Sequence, residues 1–184
     1  MKKGYSLIEL VVVMALAAIL ISTTSLSVSK VKERRALEES KNKVTEILRL
    51  YSDKSFNEGE VYEVTLDYTN KKIEVRDGDS VLIENEDLPS ILEYYVNVDN
   101  DGIAGEEAIK TTKNGGLAKL NNSPINFSMY IFDLNEDARY RISVDGINSS
   151  KLAYVNVYKK KSSKEINLSN ITSYTLVSSD WEKD

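Results

Sequence analysis

Twelve consecutive residues, 10–21 (Leu-Val-Val-Val-Met-Ala-Leu-Ala-Ala-Ile-Leu-Ile), carry no polar side chain. A core helix of a small domain keeps one wet face, and this block has none. Extended from Tyr5 to Val28 it gives 24 residues, about 36 Å of helix at 1.5 Å per residue, enough to cross the hydrocarbon of a bilayer. Lys2 and Lys3 supply a positive flank on one side, but Lys30, Lys32, Arg34 and Arg35 follow on the other, so charge only suggests the orientation. A removed secretory signal is the alternative, with Ala15-Leu16-Ala17 as the cleavage motif. Cutting there would leave Ala18-Ile19-Leu20-Ile21 as an apolar new terminus, and the discarded segment would contain the ionisable Glu9. An acid at mid-bilayer costs about 2.5–3.5 kcal/mol on insertion scales, so Glu9 needs a partner.

The residues around that acid are distinctive. Lys2-Lys3-Gly4-Tyr5-Ser6-Leu7-Ile8-Glu9-Leu10 resembles the class III signal of type IV pilins and pseudopilins. The resemblance covers about the first 25 residues and implies a set of expectations. A prepilin peptidase would cut after Gly4, and the same enzyme class would N-methylate the new terminus at Tyr5, where phenylalanine is customary. The apolar segment would be kept, and Glu9 would fall at the fifth mature position. Many major pilins have a proline where this chain has Leu26, and many close a C-terminal loop with a disulfide. Both departures favour a minor pilin, a pseudopilin or a cysteine-free lineage. Implied partners are the peptidase/N-methyltransferase, other pilin subunits, a pilus assembly platform, and membrane lipids before assembly. The precursor would be a single-pass inner-membrane protein and the product an extracellular filament with its head exposed.

The spacing also has a physical reading of its own. Cleavage would create an α-amine close to the Glu9 carboxylate, both in a medium where Coulomb attraction is little screened. Formed between neighbouring subunits, that pair would cancel two costly charges together and set the stagger of assembly. The simpler alternative is that Glu9 serves its own helix through the macrodipole, worth about 0.3–1 kcal/mol.

Beyond the span, Val28, Val31, Leu37, Val44, Ile47, Leu48 and Tyr51 continue an apolar stripe, cleanest at 44, 47, 48 and 51, while Lys32, Glu33, Arg34, Glu38, Glu39, Lys43 and Glu46 occupy the other face. The helix is therefore expected to run to about Ser52, amphipathic in its second half. From Tyr62 the period changes to two. Strands are predicted near 61–68, 73–76, 80–84, 125–133, 139–144, 152–158 and 173–177, with Asp77-Gly78-Asp79 as a hairpin connection. Residues 97–124, rich in Gly and Asn, read as a long loop with a short helix near 106–110. The predicted class is α+β, a long N-terminal helix packed on an antiparallel sheet arranged as a meander. Its organisation would be a leader at 1–4, a transmembrane and filament-core helix at 5–28, an amphipathic continuation at 29–53, and a β-rich head at 54–184.

Composition narrows the function. With 184 residues, 29% charged and net charge −5, the chain has room for one acidic domain plus an appendage. It has neither His nor Cys, which excludes Ser-His-Asp and Cys-His catalysis, the usual zinc sites and disulfides. No resident cofactor is expected. Asn97, Asp99 and Asp101, followed by Gly102, have the alternating oxygens of a calcium loop, but position twelve is Ala108, and a solvated acidic turn is the favoured reading. Lys159, Lys160, Lys161 and Lys164 form a basic run beside Tyr154 and Tyr158, a conceivable nucleic-acid contact. Residues 54–184 hold 15 Lys and Arg against 23 Asp and Glu, a net −8 that opposes general phosphate attraction. The favoured function is a non-enzymatic pilus subunit. A pseudopilin of a type II secretion or competence machine is the alternative, and a membrane-tethered enzyme using paired carboxylates a remote third.

Overall fold

The computed structural model describes residues 7–98, 101–103, 106–123, 125–144, 153–161, 163–171 and 178–184, with backbone alone at 20–27, 101–103, 106 and 178. It divides into two compact units, Met1–Arg35 and Ala36–Asp184. Helix α1 covers Leu7–Glu58. Its part within the first unit has no polar face between Leu10 and Ile19. Within the second unit the helix is one-sided: Ala36, Leu37, Ser40, Val44, Ile47, Leu48, Tyr51, Ser52 and Ser55 are buried, the three- and four-residue steps of one face.

The helix ends about a turn and a half beyond the expected Ser52. Two contacts explain the extension. Ser55 is fully buried and bonds Thr111 through its hydroxyl, so the head-facing side continues in small polar residues that carry no apolar signal. Gly59 then stops the helix at φ +73°, its N–H donating to Ser55 O at 2.9 Å.

The second unit contains two antiparallel sheets. The first has five strands in the order β3-β2-β1-β6-β7: β1 Glu63–Asp67, β2 Lys72–Arg76, β3 Leu82–Asp87, β6 Glu106–Thr111 and β7 Leu117–Lys119. The second has six in the order β11-β10-β9-β8-β4-β5: β4 Glu93–Val98, β5 Asp101–Ile103, β8 Phe127–Phe132, β9 Ala138–Val144, β10 Val155–Lys160 and β11 Trp181–Lys183. The α+β class and the long N-terminal helix on antiparallel sheet stand as predicted.

The meander is corrected to a two-sheet arrangement, because the chain leaves the second sheet after β5, pairs β6 against β1 in the first, and returns at β8. The predicted loop at 97–124 is corrected too. Residues 106–110, expected as a helix, form β6, whose register on β1 (Val64 against Ile109, Thr65 against Ala108) overrides a local composition that favours helix. The hairpin at 77–81 has its left-handed residue at Ser80 (φ 63°), and Asp77 Oδ1 accepts the N–H groups of Asp79 and Val81 at 3.0 and 2.9 Å. The strand expected at 173–177 lies outside the described residues. Strands β4 and β11 were not anticipated.

One apolar core joins helix and both sheets: Leu48 and Tyr51 meet Val64, Ile73 and Val75 of the first sheet and Val96, Phe127, Met129 and Ile142 of the second. Around it the helix sends out polar ties. Ser40 Oγ lies 2.8 Å from Tyr94 OH, the Tyr140 hydroxyl donates to Glu38 at 2.5 Å, Tyr51 OH donates to Glu84 at 2.6 Å, and Arg49 donates to Val155 O at 2.9 Å. Hydrogen bonds from Lys41 and Tyr140 hold the Glu38 carboxyl below its ordinary range.

Leu48→Ala, which opens a cavity under both sheets, is expected to lower stability by about 2–5 kcal/mol. Leu50→Ala, on the exposed side two residues away, should stay within about 0.5 kcal/mol; thermal denaturation in detergent distinguishes them. Burial chiefly, with Glu39 and Glu93 nearby, pushes the Tyr94 hydroxyl up to about 12, against the opposing bond from Ser40. Since the unfolded phenol ionises near 10, its contribution is complete below about pH 10 and is lost as pH rises to about 12. Melting temperatures should fall more steeply across that window in the native chain than in Tyr94→Phe.

Candidate functional site

The predicted cleavage and methylation residues, Gly4 and Tyr5, lie outside the described residues. Glu9 is described, in the first turn of α1 and exposed. Around it every large apolar side chain from Leu7 to Ile19 is exposed, from 52% at Val12 to 81% at Leu7. Ala15, Ala17 and Ala18 are exposed as well, so water meets hydrocarbon on all sides of this segment. Among the described residues no helix is long and apolar enough to cross a membrane; of the expected span 5–28, residues 20–27 are described by backbone alone. Burying a side chain of this size contributes about 1.5–3 kcal/mol, and nine of them lie between Leu7 and Ile19. That sum exceeds several-fold the cost of carrying one carboxylate with them. The segment is thus built to be covered by something outside its own unit.

The other sequence candidates are placed differently. Asn97 sits in β4 opposite Gly102 of β5, so it belongs to a hairpin ladder. Asp99 lies outside the described residues, and Asp101 is described by backbone alone. Among the described residues no group of three or more acids is arranged to hold a metal ion.

The four lysines do not form one patch. Lys159 and Lys161 are exposed, but the Lys160 side chain is 4% exposed and its ammonium is bound by Asp137. Asp137 also accepts the Ile166 N–H at 3.0 Å. Next to it, buried Asp133 accepts the backbone N–H groups of Asn135 and Asp137 and the Arg139 Nε–H at 2.6 Å. Lys160 is therefore a clamp on the β8–β9 turn. Periodicity along β10 makes this unavoidable, since Lys159 and Lys160 point to opposite faces.

An open groove of about 760 Å³ lies in the second unit between α1 and β3, lined by Glu39, Lys43, Glu46, Leu50, Glu84 and Glu86 among others. Lys43 joins its two walls through Glu86 of β3 at 3.1 Å and also pairs with Glu39 of its own helix at 3.6 Å. Sequence reasoning did not identify this groove, nor the buried Arg141 of β9 and its neighbour Trp181. The available signals were an arginine inside an apolar strand and the chain's single tryptophan.

Comparison with known proteins places the N-terminal segment. Residues 1–25 match the family model described as the prokaryotic N-terminal methylation motif. The match is confined to that segment and shows an N-terminal methylation motif there. No curated protein matches the chain. Among solved structures, the minor pseudopilin EpsH from the type 2 secretion system of Vibrio cholerae is similar at 11% identity and a TM-score of 0.47, over 64% of this chain and 94% of that one.

Lys160→Met is expected to cost about 1–3 kcal/mol by removing the buried cation of Asp137 and leaving it only the longer contact to Arg139 at 3.4 Å. Lys159→Met and Lys161→Met should each change stability by less than about 0.5 kcal/mol. Melting temperatures of the three variants provide the check.

Proposed function

We propose that the chain is a non-enzymatic structural subunit of a type IV pilus or of a related secretion pseudopilus, held in the membrane by its N-terminal helix until it is assembled. The observation that carries this reading is the band of exposed apolar side chains from Leu7 to Ile19, with one acid inside it, lying within the matched methylation motif. Lipid covers such a band before assembly, and the same band of neighbouring subunits covers it afterwards. Prepilin peptidase cleavage between Gly4 and Tyr5, followed by methylation of Tyr5, supplies a cation that can face Glu9 in hydrocarbon. An amine from one copy and Glu9 from the next then neutralise each other only at the correct stagger. The acidic head faces outward, consistent with its net −8 over 54–184 and with solubility outside the membrane.

Mass measurement and N-terminal sequencing of the native product are expected to give a chain beginning at N-methylated Tyr5. A start at Ala18 would point to ordinary secretion. Glu9→Val should be inserted and processed normally but be missing from sheared surface filaments, while Glu9→Asp retains part of the assembly. Filaments that contain Glu9→Val at the native level would exclude the proposed pairing.

A further inference from the structure

Along α1, the exposed residues Lys32, Arg35, Glu39, Asn42, Glu46 and Leu50 follow one another by steps of three or four, the spacing of a single helix face. Charge on that face changes sign once. Lys32 and Arg35 are cations, whereas Glu39 and Glu46 are acids. Residues 30–35 as a whole carry four cations and one acid, a net +3. Among the described residues, Lys32, Arg35 and Glu46 take part in no ion pair. Val31, beside Lys32, is 48% exposed.

The acidic half of the face forms one wall of the groove between α1 and β3. From the other wall β3 adds Glu84 and Glu86, so the lining holds four carboxylates against Lys43 and Arg49, a net −2. Pairing inside the groove leaves part of that charge unanswered. Lys43 takes Glu86 and Glu39, while Arg49 donates to Val155 O on the opposite side of the helix. Glu84 receives the Tyr51 hydroxyl but, among the described residues, no cation. Leu50, 46% exposed, adds an apolar step to the same lining. Since β3 is an edge strand of its sheet, no further strand closes the groove on that side.

We propose that this groove receives the basic stretch around Lys32 and Arg35 of a second copy of the chain, an inference that rests on the filament reading. Copies whose apolar bands pack side by side bring their α1 helices together in parallel. In an unshifted pair, Lys32 would face Lys32 and Glu46 would face Glu46, and like charges repel. A shift of four residues sets Arg35 of one copy beside Glu39 of the next, and a shift of eleven sets it beside Glu46. Both shifts bring a lower-numbered cation to a higher-numbered acid. That is also the sense in which the amine at Tyr5 would meet Glu9, so the two charge couples select one direction of stagger. The aliphatic stems of Lys32 and Arg35, with Val31, cover Leu50 while their heads reach the carboxylates. Each such pair in water is weak and screened by salt, so the contact acts by repetition at every subunit and by excluding the unshifted arrangement.

Charge reversal in the full chain tests the contact, with the amount in sheared filaments read as a fraction of the processed chain in the membrane. Lys32→Glu with Arg35→Glu, and separately Glu39→Lys with Glu46→Lys, are each expected to lower that fraction about fivefold or more. All four substitutions together should bring it back to within about twofold of native, and Lys30→Glu with Arg34→Glu, off the face, should stay within about twofold throughout. Purified in detergent, every reversed chain should melt within about 4 °C of native, because the substituted positions are exposed. Reversals that leave the fraction at the native level overturn the proposal, as does a larger fall in melting temperature accompanying lost assembly. Loss that the fourfold combination does not recover also overturns it, and assigns the cations to anionic lipid instead. Neutral reversals in a chain whose Glu9→Val variant is missing from filaments remove this contact and leave the filament reading standing, whereas a native chain absent from filaments removes both.

Discussion

The chain depends on a contrast along one helix between apolar surface that its own unit covers and apolar surface that it leaves open. From Ala36 onward, the buried positions step by three or four residues and meet both sheets, so hydrophobic burial is completed inside the second unit. From Leu7 to Ile19 the same kind of side chain is exposed in every direction. Water does not tolerate that surface cheaply. A partner medium is built into the sequence, and the one acid in the band determines how selective the partner must be. In the proposed assembly, an all-apolar segment would associate in any register, whereas one carrying Glu9 would favour the stagger that brings a neighbour's cation to it.

Selectivity of a similar kind holds α1 on the head. Apolar contact from Val44, Ile47, Leu48 and Tyr51 supplies most of the driving force, but such contacts tolerate sliding and rotation. Buried hydroxyls are less tolerant. Ser40 meets Tyr94, Ser52 donates to Gly115 O, and Ser55 reaches Thr111, whose Oγ1 also accepts the Tyr62 N–H at 2.7 Å. Shifting the helix by one residue would strand each of these groups away from water, at about 1–3 kcal/mol apiece. The stripe attaches the helix and the serines set its register.

Legibility in the sequence follows the strength of the periodic signal. The amphipathic stretch at 44–51, the alternation of Tyr62, Val64, Leu66 and Tyr68, and the strands β2, β8, β9 and β10 could be placed because one residue class repeats at a fixed step. Ser52 and Ser55 extended the helix invisibly, since a buried serine reads like a solvated one. Strand β6, Glu-Glu-Ala-Ile-Lys-Thr, could not be read as extended, for its preference is local and its pairing with β1 is made 39 to 47 residues away. Three-residue strands such as β5, β7 and β11 are too short to show any period. The methylation motif matched over residues 1–25 was legible because it is contiguous, whereas the contacts of Arg141 with Tyr158 and Trp181 join three strands and no window of sequence contains them.

The two faces of the six-stranded sheet explain why one polar residue there matters. In β9 the pattern from Tyr140 to Val144 is buried throughout, so over that stretch the strand has no solvent face and its even and odd residues enter different layers. Tyr140, Ile142 and Val144 join the core beneath α1, while Tyr130, Phe132, Ala138 and Trp181 form a separate cluster with Ile166 and Ile171 on the opposite side. A strand enclosed on both faces ordinarily carries an uninterrupted apolar run, and an aliphatic residue in place of Arg141 would satisfy that rule while giving up the guanidinium's contacts with the Tyr158 and Trp181 rings. Retaining a permanent charge in this layer instead forfeits stability. Because the helix-facing core and the outer cluster are separate, the cost is confined to the outer face and leaves the hold on α1 undisturbed.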